Sequence, residues 1–178
     1  MSLTLFLLMG LIGVIIIQFK KDQLSVIIDE NQKLVIKLKN SSWFQNYWKA
    51  GFFLFVMNAA LFFITLLIHF ILGFLIIPFM HLLVMVLAVV GSFLLWMIVN
   101  KAYQGTNGNR LKMSIIGSSF YAVLSFLFIY WLVTLKPSYE GEDLIMSSIG
   151  LLMGIIVSVV AFISCLITTG FTFKRKLK

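Results

Sequence analysis

Residues 50–100 read AGFFLFVMNAALFFITLLIHFILGFLIIPFMHLLVMVLAVVGSFLLWMIVN, a run of 51 residues with no Asp, Glu, Lys or Arg. One helix crosses a hydrocarbon core about 30 Å thick with roughly 20 apolar residues. The run is therefore too long for one crossing and suits two. It divides at Gly73–Pro78, where glycine loosens a helix and proline lacks the N–H that a continuing helix would use. Three further charge-free blocks, Met1–Phe19, Met113–Leu135 and Leu144–Phe173, each suit a single crossing. The reading is an all-α, polytopic membrane helix bundle with crossings at 3–19, 50–72, 78–99, 113–135 and 144–171. With 61% of residues hydrophobic and 11% charged, little remains to build a separate soluble domain. A membrane barrel would instead show segments of about ten residues alternating in polarity, and none is visible.

Charge sets the expected orientation. Of the 14 basic residues, 13 fall in segments 20–49, 100–112 and 172–178, which alternate with acidic or uncharged ones. The loop at 136–143 carries Lys136 against Glu140, Glu142 and Asp143. Basic residues in short loops stay on the cytoplasmic side, so the N-terminus is expected outside and the C-terminus in the cytoplasm. No positive charge precedes the first apolar block, and Lys20 and Lys21 follow it. That order predicts a retained helix rather than a cleaved signal peptide. The net charge of +8 is read as topological retention and attraction to anionic lipid headgroups. Binding of nucleic acid would need a fold presenting a basic patch, and none is legible.

The cytoplasmic loop 20–49 holds the main polar segment. Leu24–Ile28 and Leu34–Lys39, separated by Asp29–Gln32, read as a short β-hairpin. Leu34, Ile36 and Leu38 would then share one face. Beyond it, Ser42 is a candidate N-cap for an interfacial helix over 42–49. Trp43, Phe44, Tyr47 and Trp48 would anchor that helix at headgroup level.

No charged residue lies inside a predicted crossing, which weakens a proton-coupled transport reading. Asn58, Thr65 and His69 form one stripe of the second crossing, and His81 and Ser92 one stripe of the third. A hairpin turning at 73–78 would place His69 against His81 and Asn58 level with Ser92. Paired histidines could ligate a metal or haem, although no further ligand accompanies them and no cofactor is required. Gly150, Gly154 and Ser158 recur at four-residue spacing in the last crossing, a pattern that permits close helix packing. Helix four, with Ser114, Ser118, Tyr121 and Ser125 along one face, is the expected neighbour, and a homo-oligomer seam is the alternative. The lone Cys165 reads as a packing residue.

Searches for an HExxH metal motif, a G-x-S-x-G nucleophile turn and a glycine-rich phosphate loop find nothing. The expectation is a non-catalytic accessory or regulatory subunit that binds a partner membrane protein or lipids through the 20–49 loop. The alternatives are a transporter or channel subunit lined by Asn58, Thr65, His69 and Ser92, and a haem or metal protein using the two histidines. Twelve Lys against two Arg, with abundant Ile and Phe, point to an AT-rich genome and hence a bacterial plasma membrane.

Overall fold

The structure is a computed structural model that describes residues 12–14, 32–75, 80–137 and 144–172. Every regular element among them is helical: α1 (Lys33–Lys39), a 3-10 turn (Ser42–Gln45), α2 (Tyr47–Leu75), α3 (Met80–Ala102), α4 (Asn107–Val133) and α5 (Leu144–Gly170). Helices α2 to α5 are long and apolar enough to cross a membrane. The expected first crossing, 3–19, lies outside the described residues except for 12–14. Those three are helical, and Val14 packs against the core.

The helices overrun the expected crossings at the basic end. Helix α3 continues to Ala102 and α4 begins at Asn107, so the expected loop 100–112 shrinks to Tyr103–Thr106. Thr106 caps α4, its hydroxyl accepting from the Asn109 amide at 3.4 Å. The start of α2 is set by Asn46, whose side-chain oxygen accepts from the Trp48 amide at 3.0 Å and whose carbonyl accepts from Ala50 at 2.9 Å. Ser42 is therefore not the cap of an interfacial helix. It opens a 3-10 turn that leads into a helix capped four residues later.

The expected second strand, Leu34–Lys39, is the helix α1; the first, Leu24–Ile28, lies outside the described residues. A two-stranded hairpin leaves both edges unpaired, whereas a helix satisfies its own backbone. Helical winding also buries a different set. Val35 is enclosed and Leu38, three residues on, packs beside it, while Leu34 and Ile36 face outward.

Around the bundle the order is α2, α4, α5, α3, with α1 resting on α3. Helices α2 and α4 run parallel and touch closely through glycines. A Cβ on Gly51 would lie 2.8 Å from the Ile116 Cβ and 3.0 Å from the Met113 carbonyl. One on Gly117 would lie 2.7 Å from the Cβ of Leu54, itself fully buried. Helices α4 and α5 run antiparallel and join at three levels. Ser114 meets Thr169 at 2.8 Å, Ser125 meets Ser158 at 2.8 Å, and Gly154 sits under the Phe128 ring. Of the small-residue stripe, Gly154 and Ser158 thus face α4, while Gly150 opens onto free space.

The buried core gathers toward the basic end, from Val35 and Phe44 through Leu54, Trp96, Met97, Tyr103 and Met113 to Tyr121. The hairpin half of α2 and α3 instead exposes Phe63, Leu67, Phe70, Phe74, Leu83 and Leu87, as lipid-facing helices do. Gly117→Ala tests the packed half. Its new methyl collides with Leu54 and should destabilise the protein by about 1–3 kcal/mol. Thermal unfolding in mild detergent measures this, and Leu54→Ala in the same chain should recover part of the loss relative to the sum of the two single changes.

Candidate functional site

Asn58 lies halfway along α2 with no exposed surface. A buried primary amide needs partners for its carbonyl and both N–H groups. It finds them on three other helices. Trp96 Nε1 of α3 donates to its Oδ1 at 2.9 Å, and its Nδ2 donates to the Gly117 carbonyl of α4 at 3.0 Å. The same Nδ2 lies 3.6 Å from the Cys165 sulfur of α5. One side chain therefore links all four long helices. The Gly117 carbonyl is within reach because that residue has no side chain to hold α2 away.

Asn58 pairs with Trp96, one helical turn beyond Ser92. His69 Nδ1 lies 2.8 Å from the Thr65 carbonyl of its own helix, its Nε2 is buried with no hydrogen-bond partner among the described residues, and His81 is exposed. Thr65 and Ser92 bond back to the carbonyls of Leu61 and Ala88, each at the preceding turn. No group of three or more His, Cys, Asp or Glu able to hold a metal occurs among the described residues.

A second polar cluster closes the basic end. Arg110 stands in the first turn of α4 and is 7% exposed. The dipole of its own helix disfavours a cation there, and no Asp or Glu occurs among the described residues. Its charge is met instead by carbonyl dipoles where α3 ends. Nη1 donates to the Asn100 carbonyl at 2.7 Å and to its Oδ1 at 3.1 Å, and Nη2 donates to the Tyr103 carbonyl at 2.5 Å. The guanidinium also lies 5.6 Å from the centre of the Tyr103 ring, an attractive face for a cation. Burial pushes the Tyr103 phenol above its ordinary pKa, with the nearby Arg110 charge opposing the shift. Asn100 passes the connection on, its Nδ2 donating to the carbonyls of Thr168 at 2.7 Å and Phe171 at 2.8 Å where α5 ends.

Over this cluster lies the apron formed by α1 and the 3-10 turn. Gln45 staples it down: Nε2 donates to the carbonyls of Lys39 at 2.9 Å and Ala102 at 3.3 Å, and Oε1 accepts from the Gln104 amide at 2.9 Å. The four aromatics expected as interfacial anchors divide. Phe44 is a core residue, edge-on to Phe53 and Tyr103 at ring separations of 5.7 and 6.4 Å. Trp43 and Trp48 remain exposed. The Tyr47 ring receives the Lys112 ammonium at 5.5 Å. Trp43, Trp48, Lys49, Phe52, Phe53 and Val56 line an open groove of about 690 Å³.

Arg110, Asn100, Gln45, Trp96 and the close approach of α2 and α4 at Gly51 and Gly117 did not stand out in the sequence. The one visible signal was the 51, 54, 58 spacing on α2, which puts Gly, Leu and Asn on one face. Compared with known families, curated proteins and solved structures, the chain matches none.

Two substitutions probe the two clusters. Asn58→Leu strands the Trp96 N–H and should destabilise the protein by about 1–3 kcal/mol. Combined with Trp96→Phe, it should show a coupling of about 0.6–1.7 kcal/mol in denaturation cycles. Arg110→Ala should lower stability by about 2 kcal/mol or more, since three charge-assisted bonds go. Arg110→Lys should recover less than half of that, because an ammonium cannot reproduce the planar fork; detergent unfolding curves of both variants measure the difference.

Proposed function

We propose that this is a small, non-catalytic integral membrane protein that works by binding, as an accessory or regulatory subunit of a membrane assembly. In this reading the basic end faces the cytoplasm of a bacterial plasma membrane, and the apron at residues 32–49 is the contact region. The observation that carries it is the division of labour within the apron. Val35 and Phe44 anchor it to the bundle, leaving 1% and none of their surface exposed, while Leu34, Ile36 and Trp43 are turned outward. A segment that only connected two crossings would gain nothing from rigid attachment by Gln45, nor from large apolar side chains held on its outer surface.

The interior supports the same reading. The polar groups of Asn58, Asn100 and Ser114 are engaged in bonds between helices. They act as structural ties, and the recognition chemistry is left to the surface at the basic end. Lys33, Lys37, Lys39, Lys49 and Lys101 supply positive charge there, which favours anionic partners and holds the end beside acidic headgroups.

One thiol tests both the side and the contact. Cys165 is fully buried, so Leu34→Cys adds a single reachable sulfhydryl. An impermeant maleimide should label it only after the cells are opened, which reads the orientation. A photo-crosslinker attached to that thiol should give a discrete adduct in intact membranes, whereas one attached at Phe126→Cys on α4 should give only lipid products. Labelling of closed cells would overturn the orientation; a missing adduct at residue 34 would overturn the contact.

A further inference from the structure

We infer that the groove between the apron and α2 is a binding site for one anionic glycerophospholipid, which deepens the binding role proposed above and rests on it. The groove has the polarity of such a molecule. Its wall on α2 is Lys49, Phe52, Phe53 and Val56, at offsets of three, four and seven residues that share one helical face. Lys49 stands at the rim and only apolar side chains follow it inward. From Lys49 to Val56 the wall is about 10 Å long at 1.5 Å per residue, enough for the first part of an acyl chain. Trp43 and Trp48 complete the rim, the level at which indoles settle, apolar body inward and N–H toward the headgroups.

The site is built rather than incidental. Trp43 is held edge-on to Phe44 at 5.5 Å and to Phe53 at 5.7 Å, and Phe44 is locked in the core. The rim is thereby fixed to the bundle on the apron side. On the other side the Trp48 ring leans on Tyr47 at a ring separation of 6.0 Å. The groove is shallow and open, about 690 Å³ in volume, and suits a lipid lying along the helix rather than a ligand enclosed by protein. Charge selects the occupant. Among the described residues Lys49 is the one ionic group lining the groove, and none of them is a carboxylate. A headgroup with net negative charge places its phosphate on Lys49, whereas a zwitterionic headgroup brings its own cation to the same place.

The test uses the full chain carrying Trp131→Phe, which removes the exposed tryptophan outside the groove and leaves Trp43 and Trp48 to report, Trp96 being enclosed. It is reconstituted in phosphatidylcholine vesicles containing phosphatidylglycerol, with brominated acyl chains on one lipid or the other. Brominated phosphatidylglycerol should quench the tryptophans with an apparent affinity about five-fold above that of brominated phosphatidylcholine. Lys49→Gln should bring the ratio to about one. Lys112→Gln removes the same charge outside the groove and should leave the ratio unchanged. Equal quenching by the two lipids would overturn the proposal, as would an equal loss in both variants, which would mean diffuse surface charge. Quenching by neither lipid, together with disulfide dimers of Phe52→Cys, would assign the groove to a second copy of the chain and also overturn it. The residue-34 adduct reads the broader binding role independently of all these outcomes.

Discussion

A single carboxamide at the centre of the bundle sets the relation of its four long helices. Asn58 can use its carbonyl and its amino group together only when Trp96, the Gly117 carbonyl and Cys165 converge on it. Each hydrogen bond between membrane helices is modest, about 0.6 kcal/mol on average. Their value here is geometric. Apolar helices in lipid have many nearly equivalent packings, because lipid is as apolar as their own side chains. A polar group that must be satisfied removes most of those alternatives. The parallel contact of α2 with α4, the packing of α3 on α2 and the approach of α5 all agree with this one node.

The basic end repeats the principle with a charge. Arg110 is buried in the first turn of a helix, where the local dipole opposes it, and it is held by carbonyls where α3 ends and by the Tyr103 ring. Asn100 extends the link to where α5 ends, and Gln45 extends it to the apron. The cluster thus joins the closing turns of two helices, the opening turn of a third and the polar segment before α2. A rigid apron follows, and the outward faces of α1, Trp43 and Trp48 become a fixed surface. The proposed binding role depends on that rigidity.

Local pattern was informative where one physical requirement dominates, and misleading where two compete. Long charge-free blocks have one stable solution in lipid, the helix, and α2 to α5 follow them closely. Residues 34–39 include the β-branched Val35 and Ile36 and alternate in polarity from Ile36 to Lys39, yet they lie in α1, because the bundle end offers a stripe to Val35 and Leu38 and no partner strand occurs among the described residues. Trp43, Phe44, Tyr47 and Trp48 look equivalent as a belt, but Phe44 is core and Tyr47 pairs with Lys112. Arg110 was legible only as a loop cation counted toward orientation. Its burial depends on carbonyls from residues 100 and 103, which meet it only when the link Tyr103–Thr106 is short.

By itself the sequence determined that the chain is helical, apolar and built in blocks of crossing length, with its cations gathered at one set of ends. Those properties belong to single segments and need only the cost of burying charge and of leaving backbone unpaired in hydrocarbon. The tertiary structure alone decided which helices touch, that Asn58 bonds to Trp96, Gly117 and Cys165, and that Lys49 stands over an apolar groove. These depend on distances between residues far apart in the chain, and on glycines whose missing side chains become contacts only once a second helix is beside them.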